Sequence, residues 1–453
     1  MVATKPKKPA PTALDAFIRD PKKKKPVYDM PSFVPMESSR TPVPANGSAG
    51  RQAKPNKKPK PQPELPAKRR FTGDKSFDPD VRQVKLDDLV RVFGESRIHF
   101  ADTQSIWLKD MAAYLNHLLP YELSEPAFRK NNDPNYPSSL LKAEIRSFLR
   151  EMLEDCANPT LQLFQSHCVE TVIRNMGLQR PVAGYMVMLQ VLGHEFPDVT
   201  VANMRTFVES VNVNRPRPAV AVPLCWLALQ SMQSSPSHAA AMWTQLLSPL
   251  TGSSNAAHVR AYNDFAIHSL EVMLLKLSTD RDSRISPSSF TAIFDFLSHQ
   301  KSSSNAGRAV PLFPMLVAAS LRTDTEFSVL CEIFNHFLRR LSDASASKEE
   351  VRDVLLHCLL TGEEMFHHWV TVEHKFTNGS SLLLGHLSES GLLHKFPHRI
   401  VLETITQLKA RAEANDNLIS AQRSLQAIGV STPRFADYFS CMCDLRSLIS
   451  LFR

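Results

Sequence analysis

From Val84 onward the chain reads as a succession of helical stripes. Val84, Leu86, Leu89, Val90 and Phe93 recur at the spacing of one helix face and set the first of them. Further apolar-periodic stretches follow, separated by short breaks of Pro, Ser, Asn or Asp. The spacing predicts helices over Ser105–Leu119, Ser138–Cys156, Thr160–Met176, Val182–Gly193, Val199–Val211, Ala219–Met232, His238–Leu250 and Ala256–Leu277. The series continues with Pro287–Ser298, Val310–Leu321, Thr325–Leu341, Lys348–Leu360, Glu363–Phe376, Ser381–Leu392, Arg399–Ile428 and Pro433–Leu451. Start signals support several of these: Asn158-Pro-Thr160, Ser286-Pro287, and Ser347 with Glu350 three residues on as a capping box. No credible strand falls between them. So many helices joined by short loops predict an all-α fold of stacked helical hairpins, an irregular HEAT-like α-solenoid. The alternative is a compact helical domain without repeats. Pro-rich 215–218 and Ser-rich 302–307 are the expected internal seams of a domain spanning residues 81–453.

The first 70 residues behave differently. They hold 17 Lys and Arg against five Asp and Glu, a net charge of +12, while the other 383 hold 36 against 40, a net of −4. Fourteen of the 32 prolines lie in this arm, and its few large apolar residues form no periodic run. Such a segment buries too little surface to offset its conformational entropy, so residues 1–80 are expected to be a disordered Lys/Pro-rich tail and connector. Scarce glycine (14 in 453) agrees with a helical body. Seven scattered cysteines read as buried free thiols in a reducing compartment. Lys5–Lys8 leads into Pro-Ala-Pro-Thr rather than an apolar run, so no signal peptide is expected. The longest apolar stretch, Ala219–Leu229, is short of the roughly 20 residues a bilayer demands.

Candidate chemistry is sparse. His357, His367, His368, His374, His386, His394 and His398 crowd one region. The i,i+4 pair His394 and His398 is interrupted by Pro397, and Cys441-x-Cys443 has no partner pair, so no metal site is expected. No Gly-x-Ser-x-Gly turn, phosphate loop or His-Glu-x-x-His occurs. The expectation is a non-enzyme with no cofactor. The tail carries the remaining signal: Lys22, Lys23, Lys24 and Lys25, with Lys57, Lys58 and Lys60, form an anionic-surface docking candidate. At about 1 kcal/mol per basic residue, the first cluster is worth about 4 kcal/mol, a dissociation constant of order 1 mM. That is transient docking on an anionic membrane; the alternatives are a nuclear import signal and a solvating linker with no partner. Nucleic acid is disfavoured as a partner because the tail has few aromatics to stack on bases.

One stretch is distinctive. Ser105, Ile106, Trp107, Leu108, Lys109 and Asp110 open a helix, followed by Ala113-Tyr-Leu-Asn116, Leu123-Ser-Glu-Pro126 and Tyr136-Pro137. With Val199–Phe207, these segments resemble the transmembrane protein 214 family over about 105–207. The plain alternative for Trp107 is a packing residue. The resemblance implies a protein of the endoplasmic reticulum membrane, with a large helical region ahead of hydrophobic C-terminal spans. It also implies recruitment and activation of an inflammatory-type procaspase in stress-induced apoptosis, with no catalytic residue. No strongly hydrophobic span occurs up to Arg453, which reads as a truncated product, an isoform or a partial sequence.

The expected function is therefore a non-enzymatic helical scaffold at the cytosolic face of the endoplasmic reticulum that recruits partner proteins. The competing expectation is a soluble nucleic-acid-binding or nuclear-transport adaptor working through the basic tail.

Overall fold

A computed structural model describes residues 69–70, 77–122, 133, 135–234, 236–252, 256–280, 282–343, 347–389 and 395–411. The tail lysines, Leu123–Pro126, His394, Cys441, Cys443, the end of Arg399–Ile428 and all of Pro433–Leu451 lie outside them. The described residues belong to one compact unit.

The described residues are helical almost throughout. The first layers are α1 (Phe77–Arg82), α2 (Leu86–His99), α3 (Gln104–Leu118), α4 (Ala143–Glu154), α5 (Asn158–Gly177) and α6 (Ala183–Glu195). Next come α7 (Pro197–Ala202), α8 (Met204–Val213), α9 (Pro218–Leu229), α10 (Pro236–Leu247), α11 (Ala257–Thr279) and α12 (Pro287–Gln300). The stack continues with α13 (Ala306–Ala309), α14 (Leu312–Ser320), α15 (Phe327–Leu341), α16 (Lys348–Leu360), α17 (Glu363–Val372), α18 (Thr377–Glu389) and α19 (His398–Arg411). The principal packing partners of each helix lie within four positions along the chain. That nearest-neighbour pattern is what stacked hairpins require.

Helix α15 shows why these residues fold this way. Leu330, Ile333, Phe334, Phe337, Leu338 and Leu341 are its buried positions, spaced three and four apart on one stripe. Around Phe294, rings of Phe290, Phe313 and Phe337 meet at 4.7–6.4 Å between centroids, joining α12, α14 and α15. Proline sits in the first turn of α5, α7, α9 and α12, where its missing N–H costs nothing. At α12 the Ser286 hydroxyl also accepts the Ser289 N–H, the cap that the sequence signals.

Five details depart from the pattern-based expectation. Ser138–Cys156 opens as a separate 3-10 turn, Ser138–Leu140, and α4 starts only at Ala143 because Leu141 between them is extended. The stripe Val199–Val211 is two helices, broken at Asn203, whose side-chain amide donates to the Gln162 carbonyl and to Gln165 Oε1. Val310–Leu321 is likewise preceded by the separate turn α13, because Pro311 lacks the N–H that would continue one ladder. Ser347 makes no side-chain cap at α16. Its expected capping partner, Glu350, instead takes the Lys301 ammonium, a charge-assisted bond that outcompetes a neutral backbone donor. A single strand pair is present among the described residues: β1 (Arg69–Arg70) runs parallel to β2 (Tyr121–Glu122).

Residues 77–80, counted with the connector on sequence, are helical and packed. Phe77 is buried with its ring edge-on to Tyr121 and Tyr136. The hydroxyls of those tyrosines donate to Asp80 and Asp78 respectively.

Two glycines mark close helix approaches. A Cβ on Gly184 of α6 would lie 2.1 Å from the Asn116 nitrogen of α3, and one on Gly379 of α18 would lie 2.0 Å from the Leu338 carbonyl oxygen of α15. Both obstacles are backbone and cannot rotate away. Gly184→Ala and Gly379→Ala are each expected to cost about 1–3 kcal/mol by forcing the helices apart. Gly307→Ala, which meets nothing within 4 Å, should stay within about 0.5 kcal/mol of the parent. Urea denaturation midpoints compare the three.

Candidate functional site

The distinctive Ser105–Asp110 block forms the first turns of α3. Leu108 is fully buried and Trp107 nearly so, at 6 % exposure. The indole Nε1 donates to the Phe100 carbonyl at 2.7 Å, which closes the loop between α2 and α3. The Trp107 ring stands perpendicular to that of Phe93, which in turn meets Phe148 of α4 edge-on at 5.8 Å. The Arg97 guanidinium lies over both Trp107 and Phe93, 5.2 and 5.5 Å from their centroids. Arg97 also approaches Asp155 at the end of α4. Asp110 accepts the Ser96 hydroxyl at 2.7 Å. The block is thus a clamp that fixes α3 against α2 and α4, and the packing reading of Trp107 is the one the geometry bears. Nothing in the sequence pattern singled out Arg97, Ser96 or Asp155 as its partners. They are ordinary polar residues with no motif of their own.

Lys109 is the block's exception. It is half-buried and makes no side-chain hydrogen bond or ion pair among the described residues. The His167 imidazole of α5 is held below its usual range by burial first and then by the charges of Lys109 and Arg174. The second distinctive segment, Val199–Phe207, is also structural: Thr200 and Phe207 are buried, and Gln165 donates to the Thr200 hydroxyl at 2.7 Å.

The crowded histidines do not converge. His368 pairs with the Asn335 side-chain oxygen at 2.9 Å between the rings of Phe327 and Phe334, whereas His367 and His374 are exposed. Burial lowers His357 and His386 as well. Among the described residues, no group of three or more His, Cys, Asp or Glu side chains could hold a metal ion. Cys168, Cys225 and Cys358 are fully buried, and burial raises all three thiols, so they stay protonated rather than nucleophilic. No described helix is long and apolar enough to cross a membrane. The lysines read as a docking cluster, Lys22–Lys25, Lys57, Lys58 and Lys60, are outside the described residues.

Comparison with known proteins decides the kinship. Residues 20–430 match the model of a family described as "TMEM214, C-terminal, caspase 4 activator". The chain belongs to the transmembrane protein 214 family. The likeness reaches well beyond the 105–207 stretch where it is legible by eye. Transmembrane protein 214 of Homo sapiens is 28 % identical over 345 residues, covering 74 % of this chain and 49 % of the relative. Transmembrane protein 214-A of Xenopus laevis is 26 % identical over 328 residues, covering 70 % and 46 %. The chain spans about half the length of these curated relatives. No solved structure matches it.

The geometry assigns opposite costs within one turn of the family block. Trp107→Ala empties the α2–α3–α4 junction and is expected to cost about 3–5 kcal/mol, whereas Lys109→Ala should change stability by less than about 0.5 kcal/mol. Chemical denaturation separates them. The same method tests the histidines. His167, His194, His336, His357, His368 and His386 are all held below the usual 6.5 in the folded state. As pH falls below 6.5 the unfolded chain takes up these protons first, so stability declines from there through the depressed values. Glu271 acts lower: burial raises its carboxyl, but hydrogen bonds from His268 and Arg308 and their charges outweigh it and hold it at about 2, so this contribution is present above 4.5 and lost as pH falls toward 2. Urea midpoints should therefore fall between pH 7.5 and 5.5, before any carboxylate loss begins.

Proposed function

We propose that this chain is a non-enzymatic helical scaffold that acts at the cytosolic face of the endoplasmic reticulum and recruits partner proteins, a procaspase among them, during stress-induced apoptosis. The observation that carries the reading is the family match over residues 20–430, under a description that names a caspase 4 activator. The membrane address is supported by the names of the relatives. The scaffold role is supported by how the polar side chains are used. Trp107, Trp243, Trp369, Gln165 and Gln190 each bond to a neighbouring helix or loop rather than to one another around a cleft. A stack of helices offers an extended surface on which two molecules of a zymogen can be held together, and induced proximity needs no catalytic group from the scaffold.

The test is reconstitution. The purified chain should form a complex with recombinant inflammatory procaspase at about micromolar affinity and accelerate its self-processing. The readouts are light scattering for the complex and cleavage of the zymogen over time. If the zymogen elutes alone and is processed at its own rate, the scaffold reading fails. Adding duplex DNA tests the competing use of the +12 arm: retention that collapses steeply with salt, with no procaspase complex, would favour the adaptor reading.

A further inference from the structure

We infer that residues 63–68, at the end of the basic arm, are a ligand for a partner domain of the SH3 type whose specificity pocket is acidic. This goes beyond the scaffold reading and does not depend on it, since it names a second class of partner and the residues that take it.

Such domains receive a proline-rich ligand as a left-handed helix of three residues per turn, laid on a groove lined with aromatic rings. Two prolines three apart both meet the groove, and a cation one turn to either side sets direction and partner. Among the 32 prolines, four pairs have that spacing: Pro6 with Pro9, Pro63 with Pro66, Pro134 with Pro137, and Pro311 with Pro314. A basic residue three before the first proline or two after the second accompanies only the pairs at 63 and 311. The structure removes the latter. Arg308 forks onto Glu271 at 2.6 and 2.8 Å. Pro311 enters α14 with φ −64° and ψ −18°, a helical backbone far from the ψ near +145° that the groove receives. Leu312 and Phe313, between those prolines, are buried. Residues 60–68 lie outside the described residues, and β1 at Arg69–Arg70 begins directly after Lys68.

The remaining pair carries the full pattern, Lys60-Pro-Gln-Pro-Glu-Leu-Pro-Ala-Lys68. Lys60 is one turn before Pro63, and Lys68 is one turn after Leu65. Leu65 is the one large apolar residue between positions 51 and 70, and it stands beside Pro66, where it extends the apolar edge offered to the rings. A solvating linker or a purely electrostatic arm requires charge but no apolar residue at this phase. Charge then selects the direction. Lys68 leads into Arg69 and Arg70, three adjacent cations, whereas Lys60 is flanked by Pro59 and Pro61. An acidic pocket placed at the Lys68 end gains the more from that asymmetry.

The test titrates the intact chain into an isotope-labelled recombinant SH3 domain whose specificity pocket holds carboxylates and which accepts Pro-x-x-Pro-x-Lys peptides. Calorimetry gives the affinity, and chemical shifts locate the contact on the domain. Binding should be one to one, with shifts confined to the aromatic groove. Pro63→Ala/Pro66→Ala and Lys68→Glu should each weaken it at least about tenfold, as should exchange of the pocket carboxylates for amides. Lys22→Ala/Lys23→Ala/Lys24→Ala/Lys25→Ala should leave the affinity within about twofold, and the thermal melt of every variant should match the parent. No binding, equal affinity for the double proline variant, or a loss with Lys60→Glu but not with Lys68→Glu would overturn the proposal. Binding that follows the Lys22–Lys25 cluster rather than the prolines would return the arm to plain electrostatics and overturn it as well. The scaffold reading fails separately, when the unaltered chain forms no procaspase complex whatever the SH3 domain does.

Discussion

Two helices, α6 and α9, are apolar on nearly every side, and the surrounding layers are obliged to cover them. Met186–Gly193 and Val220–Leu229 are buried without a break. A helix of this kind has no face to give to water, so its neighbours must come from more than one direction. Helices α3, α4 and α7 close on α6, while α8, α10 and α11 close on α9, and the two touch each other. Polar atoms inside such a core carry a cost of about 1–3 kcal/mol each unless bonded. Gln190 meets that demand fully: it accepts from the Ser138 N–H and donates to the Tyr136 carbonyl and to Gln230 Oε1. Gln230 in turn donates to the Trp226 carbonyl and pairs with His194. The amide chain ties the loop before α4, the body of α6 and the end of α9 into one register, because a slip of any of them would strand these buried amides.

Away from that core, the layers are held in step by side chains reaching from one hairpin to the next. Arg308 forks onto Glu271, Arg340 meets Asp295, Asn305 donates to Asp264, and His368 meets Asn335. These contacts span 33 to 45 residues of sequence, the length of a helical-hairpin repeat. Most of the ion pairs among them are partly exposed, so their contribution to stability is small. Their effect is on registration: an apolar stripe such as that of α15 can slide by a turn and still be buried, but a bidentate arginine cannot. Stability itself comes from the apolar faces, above all the phenylalanines that bridge α12, α14 and α15.

This division explains what was legible in the sequence. Lys348–Leu360 begins and ends where its stripe does, because its apolar positions and its chain breaks coincide. The break at Asn203 was hidden because its cause is a side-chain bond to Gln162 and Gln165 on another helix, and no local pattern encodes it. The cap at Ser347 failed for a related reason: Glu350 had a better partner 49 residues away in Lys301. Tyr121 pairs with β1 through its backbone and with Asp80 through its hydroxyl, and a two-residue strand carries no periodicity to read.

The family block sharpens the distinction between a recognisable word and a functional one. Trp107 and Asp110 lie at the junction of α2 and α3, and the aromatic and the acid that make the block recognisable are both occupied, Trp107 by Phe100 and Asp110 by Ser96. Replacing such residues opens a cavity or strands a polar group, a packing role that carries no information about activity. A contact surface obeys the opposite rule. Its residues must stay unspent in the isolated chain, since a side chain already bonded within the fold has little left to offer a partner.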